Sequence, residues 1–197
     1  MSIIGNNILA GASGQAGGYQ IERSLRINEV DTAYLRKSDF GTPDSSTTFT
    51  FSAWVKRGNI GTDISIAGSD SGSNAFTLFV IDSADKLVWR VRNSSQSDLT
   101  RLESEAVFRD PSAWYHVLLQ IDSTQATAAD RAKLWVNGVQ LTEFSTNNKD
   151  ELNMTYTSDF LTDINIGRFQ INSSTRRYSD GYFAEYYYID GIQRQGN

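Results

Sequence analysis

The chain has 197 residues, a formal net charge of −5 at pH 7 and no cysteine. The lack of cysteine excludes a disulfide framework and a thiolate site, and the lack of a basic excess argues against nucleic-acid binding. No apolar run approaches the roughly 20 residues that a membrane-spanning helix needs, so membrane insertion is not expected. Aromatic residues make up 12% of the chain, with 15 glycines and two prolines, and this mixture favours strands joined by turns.

The first 18 residues differ from the rest of the chain. They place four large aliphatic side chains in a segment otherwise rich in glycine and alanine. A terminal segment of this kind is commonly a flexible leader. The alternative is an assembly arm that docks on another subunit, because burying each large aliphatic side chain stabilises a contact by about 1.5–3 kcal/mol. The side chains that would make this contact are Ile3, Ile4, Ile8 and Leu9.

Residues 110–138 form the clearest local unit. Residues 114–122 and 132–136 are rich in aromatic and β-branched side chains, which predicts two strands. Asn137 and Gly138 follow the second strand and are a strong turn signal, because both residue types tolerate a positive φ. Between the two strands, residues 123–131 are the one segment compatible with a short helix.

Further strands are predicted throughout residues 19–197, with polar loops at 38–47 and 145–153. About a dozen short strands separated by turn residues predict a single all-β domain, an antiparallel sandwich or jelly roll. The additional strands are expected at 24–27, 48–56, 63–67, 75–81, 86–92, 99–108, 140–144, 164–170 and 181–190. The structural core is expected to contain five large side chains, Phe51, Trp54, Trp89, Trp114 and Trp135.

Five segments resemble, in their order along the chain, a laminin G-like domain with the concanavalin A-like jelly roll. The narrower resemblance is to the version of this domain in structural proteins of tailed phages, particularly marine ones, and the leader IIGNNILAGASG is similar to the start of such proteins. The resemblance implies the fold from about residue 20 onward. It does not imply one function, since this fold carries lectins, glycanases, adhesion modules and structural proteins. The segments are FSAWVK (51–56), DPSAWYHV (110–117), KLWVNGV (133–139), INIGR (164–168) and DGYFAEYYYIDG (180–191).

His116 is the only histidine in the chain. A histidine that acts as a general base needs a carboxylate partner and a nucleophile close by. The resemblance places His116 in a core strand, so a packed structural histidine is expected rather than a catalytic one. With one histidine and no cysteine, a transition-metal site is not predicted.

The acidic residues give no glycanase signature. Retaining glycanases with this fold present a pattern like Glu-x-Asp-x-x-Glu, which the sequence lacks. Glu103 and Glu105 share a strand face, but the reaction needs two carboxyl groups about 5–5.5 Å apart. Glu185 and Asp190 do not meet this spacing either. The chain is therefore predicted not to be an enzyme and to have no catalytic residue.

Residues 69–74 are the best calcium candidate, with oxygen-bearing side chains at alternate positions around Gly72. This loop lacks the full acidic set and the terminal bidentate glutamate of an EF-hand, so a surface turn is expected and no cofactor is predicted. In the last strand, successive side chains point to opposite faces. Tyr186 and Tyr188 are expected inside, whereas Tyr187 is expected outside or at an interface. The tyrosines of this strand are also candidates for stacking on sugar rings.

Two functions are weighed. The first is a non-enzymatic structural protein of a tailed-phage virion, specifically a capsid decoration or cement protein on the particle exterior. Its partners would be phage capsid or tail proteins and further copies of itself in a homo-oligomer, and residues 1–18 would grip the lattice. The alternative is an adhesion module of a tail fibre or head fibre that binds a host-surface glycan. A glycan hydrolase is a third class of function, which an activity assay would test.

Overall fold

The computed structural model describes residues 19–38, 41–69, 75–148, 152–156, 163–170 and 176–191. The predicted arm at 1–18, with Ile3, Ile4, Ile8 and Leu9, lies outside the described residues. Most of the predicted calcium loop, residues 70–74, lies outside them as well. No helix in the described part of the chain is long and apolar enough to cross a bilayer.

The described chain consists of short strands and a single 3-10 turn, Ala128–Asp130, within the segment predicted to hold a short helix. The strands are β1 (Leu25–Ile27), β2 (Leu35–Ser38), β3 (Thr48–Arg57), β4 (Ile64–Gly68), β5 (Phe76–Ile81), β6 (Lys86–Arg92), β7 (Asp98–Val107), β8 (Tyr115–Asp122), β9 (Ala132–Val136), β10 (Val139–Gln140), β11 (Phe144–Asn148), β12 (Asp163–Ile166), β13 (Arg168–Gln170), β14 (Arg176–Tyr178) and β15 (Gly181–Asp190).

The strands form two packed antiparallel sheets. One sheet has six strands in the order β1-β15-β3-β8-β9-β10, and the other has seven in the order β11-β7-β6-β5-β4-β12-β2. Strands β13 and β14 pair with each other in a small separate ribbon. The antiparallel jelly-roll sandwich predicted from the sequence is confirmed.

The core lies between the two sheets. Alternate residues of β3 point inward, so Phe49 and Phe51 are fully buried, while Thr48 and Ser52 are partly exposed. Trp89 reaches the core from the seven-stranded sheet with no exposed surface, and its ring meets that of Phe49 edge-on at 6.1 Å. Phe51 and Trp89 therefore lie where the sequence analysis expected them.

The other three tryptophans are a correction to the predicted core. Trp54, Trp114 and Trp135 are each only half-buried, and they lie on the outer side of the six-stranded sheet. The reason is strand parity. Trp54 lies between the inward-facing residues Ala53 and Val55 and must face outward, although its side chain is apolar.

The polar segment 145–153 is a second correction. Residues 144–148 form β11, which pairs with β7 at the edge of the seven-stranded sheet, rather than a loop after a strand at 140–144. An edge strand has one row of backbone groups open to solvent, so its side chains need not be apolar. The last strand behaves as predicted. Tyr186 and Tyr188 pack against the core, and Tyr187 is 54% exposed.

A buried ion pair joins three parts of the fold. The Arg57 side chain at the end of β3 has no exposed surface and pairs with Asp85 in the turn between β5 and β6. Asp85 also accepts hydrogen bonds from the Gly61 backbone at 2.9 Å and from Arg109 at 2.8 Å. The remaining donors of Arg57 reach backbone carbonyls, namely those of Asn59, Thr62 and Phe108.

Candidate functional site: an aromatic surface on the six-stranded sheet

Seven ring-bearing side chains lie on or over the outer face of the six-stranded sheet, and we call this set the aromatic surface. Strands β15, β3, β8 and β9 are neighbours in the sheet, so their outward side chains form rows about 5 Å apart. The face therefore presents several partly exposed rings to solvent. Its members are Tyr19, Trp54, Trp114, His116, Trp135, Tyr182 and Tyr187.

At the centre of the aromatic surface, Tyr19 and Trp54 form a stack, and the His116 ring packs against Trp54 at a tilt of 45°. Tyr19 lies parallel to Trp54, with ring centroids 5.5 Å apart and an angle of 5° between the planes. Trp54 and His116 are cross-strand neighbours on β3 and β8, and their rings are 5.0 Å apart. Tyr19 is 59% exposed, so one face of the stack remains open to solvent.

His116 is packed as predicted, but against the outer face rather than in the core. Its Nε2 atom is 2.9 Å from the Ser52 hydroxyl, which lies on the neighbouring strand. Burial lowers the pKa of His116, because the charged imidazolium loses hydration there. The ring is therefore neutral at pH 7, and both Ser52 and His116 offer polar atoms beside the aromatic stack.

Stability should depend on pH through His116. In the unfolded chain, histidine binds a proton below about pH 6.5, whereas the folded protein binds it only at a lower pH. The free energy of unfolding is therefore expected to be undiminished above this value and to fall as the pH drops below it. Urea unfolding at a series of pH values, compared with His116→Asn, isolates the effect because the carboxyl groups are common to both proteins. Identical pH slopes in the two proteins would show that the histidine is not desolvated.

A bulge in β15 brings a carboxylate to the edge of the stack. The register with β3 shifts between Ala184 and Tyr187, and Glu185 within the bulge has φ of +47°. Such bulges re-aim a side chain and are frequent next to functional sites. The Tyr187 hydroxyl donates to Glu185 at 2.6 Å, and this bond together with the carboxylate charge raises the pKa of Tyr187. Glu185 thus places a negative acceptor among the aromatic rings.

One end of the aromatic surface carries two basic side chains, and one of them, Arg26, is paired with Asp180 at 2.7 Å. The rings of Trp114 and Tyr182 meet edge-on at 6.4 Å. Arg26 lies over the Tyr182 ring at 5.0 Å, and Lys56 lies over it at 5.9 Å. Cations held over a ring face in this way stabilise its orientation. The aromatic surface therefore has the Glu185 carboxylate beside its central rings, and Lys56 and the Arg26–Asp180 ion pair at its other end.

Trp135 forms the flank of the aromatic surface on β9. Its indole N–H donates to Gln120 Oε1 at 2.8 Å. Gln120 is 2% exposed, and its Nε2 donor has no acceptor within the described residues. Buried donors are nearly always satisfied in folded proteins. This amide is enclosed by the protein, so it orients the Trp135 indole rather than offering a contact to a ligand.

Of the four carboxylates with a possible catalytic pattern in the sequence, Glu103 and Glu105 lie on β7 of the seven-stranded sheet, whereas Glu185 and Asp190 lie on β15. Glu103 is on the seven-stranded sheet, where it accepts hydrogen bonds from Arg101 at 2.7 Å and from Ser145 at 2.9 Å, and pairs with Lys86 at 3.2 Å. Burial alone would raise the pKa of Glu103, but these donors outweigh it and hold the pKa low. A glycosidase acid needs the opposite, a raised pKa. That the chain has no catalytic activity stays a prediction.

Among the described residues, no three acidic or histidine side chains are grouped to hold a metal ion. Ser69 is the described member of the predicted calcium loop. It is buried, and its hydroxyl accepts a hydrogen bond from the Thr77 backbone at 3.0 Å.

The sandwich of two antiparallel sheets defines a lectin-like jelly roll. Residues 30–194 match the laminin G-type family described as the Concanavalin A-like lectin/glucanases superfamily, and the chain belongs to this family. A comparison with curated proteins gave no match.

Solved structures resemble the chain in fold. The CBM40 of the Ruminococcus gnavus IT-sialidase, bound to α2,3-sialyllactose, has a TM-score of 0.55 at 14% identity, covering 87% of this chain and 92% of that one. Domain 4 of the arabinanase AbnA from Geobacillus stearothermophilus, in complex with arabinotriose, has a TM-score of 0.52 at 16% identity, covering 82% and 84%. Mouse laminin α1 domains LG4-5 have a TM-score of 0.59 at 12% identity, covering 91% and 47%. At these identities the likeness concerns the fold alone.

Proposed function

We propose that this chain is a non-catalytic glycan-binding module whose ligand stacks on the aromatic surface. The observation that carries the proposal is that three of the four tryptophans, Trp54, Trp114 and Trp135, lie partly exposed on the outer face of one sheet, beside the exposed rings of Tyr19 and Tyr187. Concentrated exposed apolar surface of this kind marks an interaction site.

The chemistry of the aromatic surface suits a sugar ring. A pyranose has a face of C–H groups, which pack on an aromatic ring, and a rim of hydroxyls, which need hydrogen-bond partners. Tyr19, which lies flat over Trp54 and is 59% exposed, supplies a stacking face. Ser52 and His116 supply polar atoms beside the stack, and Glu185 supplies a charged acceptor. Sites that bind small polar ligands combine apolar walls with a few such polar groups.

The comparisons support a glycan ligand over a purely structural role. The titles of two structures of similar fold name a bound carbohydrate, sialyllactose in one and arabinotriose in the other. In both comparisons, the matched region covers more than four fifths of this chain and more than four fifths of the other chain. This support favours the adhesion-module alternative of the sequence analysis over the decoration-protein interpretation.

The phage setting stays a prediction. The resemblance of the sequence to structural proteins of tailed phages suggests a virion location, with capsid or tail proteins and further copies of the chain as partners. None of the comparisons bears on these points. A fibre module that binds a host-surface glycan would agree with both the resemblance and the aromatic surface.

Replacing Trp135 by alanine should weaken glycan binding about 10-fold or more. Stacking of a ring ligand on an aromatic side chain is worth about 1–3 kcal/mol in a comparable setting, the stacking of nucleic-acid bases. A glycan array that includes α2,3-sialyllactose and arabinotriose should first identify the preferred ligand, and affinity electrophoresis should then compare the variants.

Tyr34→Ala is the matched control for this test. Tyr34 is 37% exposed and packs beside Arg168 and Tyr178, away from the six-stranded sheet. Its binding should equal that of the unmodified protein. Equal losses in both variants, or undiminished binding by Trp135→Ala and Trp54→Ala, would contradict the placement of the ligand.

A further inference from the structure

Two exposed tyrosines meet the Glu185 carboxylate on the outer face of the six-stranded sheet. The Tyr187 hydroxyl donates to this carboxylate at 2.6 Å. Tyr19 lies beside it as well, and loss of hydration together with the charge of Glu185 raises the pKa of the Tyr19 hydroxyl. Glu185 and, more weakly, Tyr19 also raise the pKa of Tyr187. The three groups are therefore neighbours, although Tyr19 lies far from the other two in the sequence.

The bulge in β15 turns Glu185 toward these rings. Ala184 pairs with Trp54 and shares its outward face, so strict alternation would direct residue 185 toward the core. Glu185 instead has φ of +47°, a left-handed conformation that is uncommon for residues other than glycine. Backbone conformations of this kind are concentrated at functional sites. A carboxylate that a bulge holds among exposed rings is thus a candidate for ligand binding.

The Glu185 carboxylate forms no ion pair with a lysine or arginine within the described ranges of the chain. Of the basic side chains at the aromatic surface, Arg26 pairs with Asp180, and Lys56 lies over the Tyr182 ring. A carboxylate has about four acceptor positions, so the tyrosine hydroxyls leave room for a further donor. Since the whole chain has a net charge of −5, an approaching cation is attracted rather than repelled.

The surroundings of Tyr19 favour a cation in two further ways. After loss of hydration and Glu185, the exposed carboxylate of Glu22 also raises the pKa of Tyr19, so a second negative charge lies near the ring. One face of the Tyr19 ring lies on Trp54, and the other is open to solvent. The face of an aromatic ring attracts a cation. An ammonium group at this point is therefore attracted by the rings as well as by the carboxylates.

We propose that the aromatic surface selects a glycan that carries a free amino group, and that Glu185 binds the protonated amine. The inference rests on the proposed glycan-binding function and adds the class of sugar. The ammonium group donates to Glu185 beside the rings of Tyr19 and Tyr187, while the sugar ring stacks on the open face of Tyr19. Acetylation of the amine removes the positive charge and with it the attraction to the carboxylate.

The test compares two tetramers by isothermal titration calorimetry of the full chain. The probes are the chitin tetramer, whose amines are all acetylated, and its fully deacetylated counterpart. The titrations are done at about pH 6, because an amine with the pKa of an α-amino group, about 7.7–8.0, is protonated there. The deacetylated tetramer should bind about 10-fold more tightly or better, since hydrogen bonds to charged groups are the strong ones. Tetralysine has the charge without the sugar rings, and binding as tight as that of the deacetylated tetramer would overturn the assignment of a sugar.

Glu185→Gln removes the charge with little change of shape, and its amide oxygen can still accept from Tyr187. It should weaken binding of the deacetylated tetramer about 10-fold or more and leave that of the chitin tetramer unchanged. Glu105→Gln is the matched control, because it removes the same charge from an exposed position on β7 of the other sheet. The control should bind both tetramers as the unmodified protein does. Undiminished binding in Glu185→Gln, or an equal loss in Glu105→Gln, would overturn the proposal.

Trp135→Ala distinguishes a failure of this inference from a failure of the proposed function. Equal affinity for the two tetramers, with a loss for both in Trp135→Ala, would overturn the preference for an amino sugar and leave the aromatic surface as a glycan site. Binding of the deacetylated tetramer that responds neither to Trp135→Ala nor to Glu185→Gln would overturn both, since the ligand would then lie elsewhere on the protein.

Discussion

Replacing Arg57 by methionine is expected to lower the free energy of unfolding by about 3–5 kcal/mol. The substitution leaves the Asp85 carboxylate buried without its principal partner, and removing one member of a buried pair costs about this much. It also deprives the carbonyls of Asn59, Thr62 and Phe108 of their donor. Urea unfolding followed by circular dichroism measures the loss.

Arg109→Met is the matched control for Arg57→Met. Arg109 donates to the same carboxylate, but its side chain is 63% exposed. An exposed ion pair contributes about 0–1 kcal/mol, so this variant should lose far less stability. Similar losses in the two variants would contradict the special role of the buried guanidinium.

The free energy of unfolding at acidic pH gives a second measurement for Arg57→Met. Burial alone would raise the pKa of Asp85, but hydrogen bonds from Gly61, Arg109 and Arg57 outweigh it and hold the pKa below its ordinary value. A depressed pKa adds stability that is present above the unfolded pKa, about 3.9, and is lost as the pH falls through the folded one. Arg57→Met should weaken this acid dependence.

Replacing Trp89 by alanine is the other large expected loss, about 3–5 kcal/mol. The Trp89 side chain has no exposed surface, and its ring centroid lies 6.1 Å from that of Phe49 and 6.0 Å from that of Tyr156. Removing the indole therefore leaves a cavity between the sheets. Trp114→Ala is the comparison, because Trp114 is half-exposed on the outer face. It should cost about 1 kcal/mol, the typical effect of a substitution. An equal cost for both would mean that Trp114 contributes to the core after all.

The strands could be predicted because their signals are local. Alternation in β3 and the Asn137-Gly138 turn depend on neighbouring residues, and the structure reproduces both. The polar strand β11 escaped prediction because an exposed edge strand needs no apolar face. Its pairing with β7 is a long-range contact that the sequence of β11 does not indicate.

The outward position of the three tryptophans could have been predicted from their place in the strands, but the apolar character of their side chains favoured a core position instead. Every second residue of a strand points to the same face, so Trp54 shares the polar face of its strand with Ser52 and Lys56. By the same alternation, Trp135 shares a face with Lys133, and Trp114 shares a face with His116. Strand parity therefore indicated an outward position for all three tryptophans, whereas the apolar character of indole suggested the core.

The remaining features depend on residues far apart in the chain. Arg57 and Asp85 meet across 28 residues. The positive φ of Glu185 arises from a bulge whose position is set by pairing with β3. No local pattern identifies such contacts before the sheets are assembled.

The four indole N–H signals give the most direct test of the glycan-binding proposal. In an NMR titration with the glycan preferred on the array, the signals of Trp54 and Trp135 should shift saturably, with that of Trp114 following if the ligand extends to the cationic end. Trp89 is buried in the core and serves as the internal reference, so its signal should not move. Saturable binding that leaves the Trp54 and Trp135 signals in place would contradict ligand stacking on the aromatic surface.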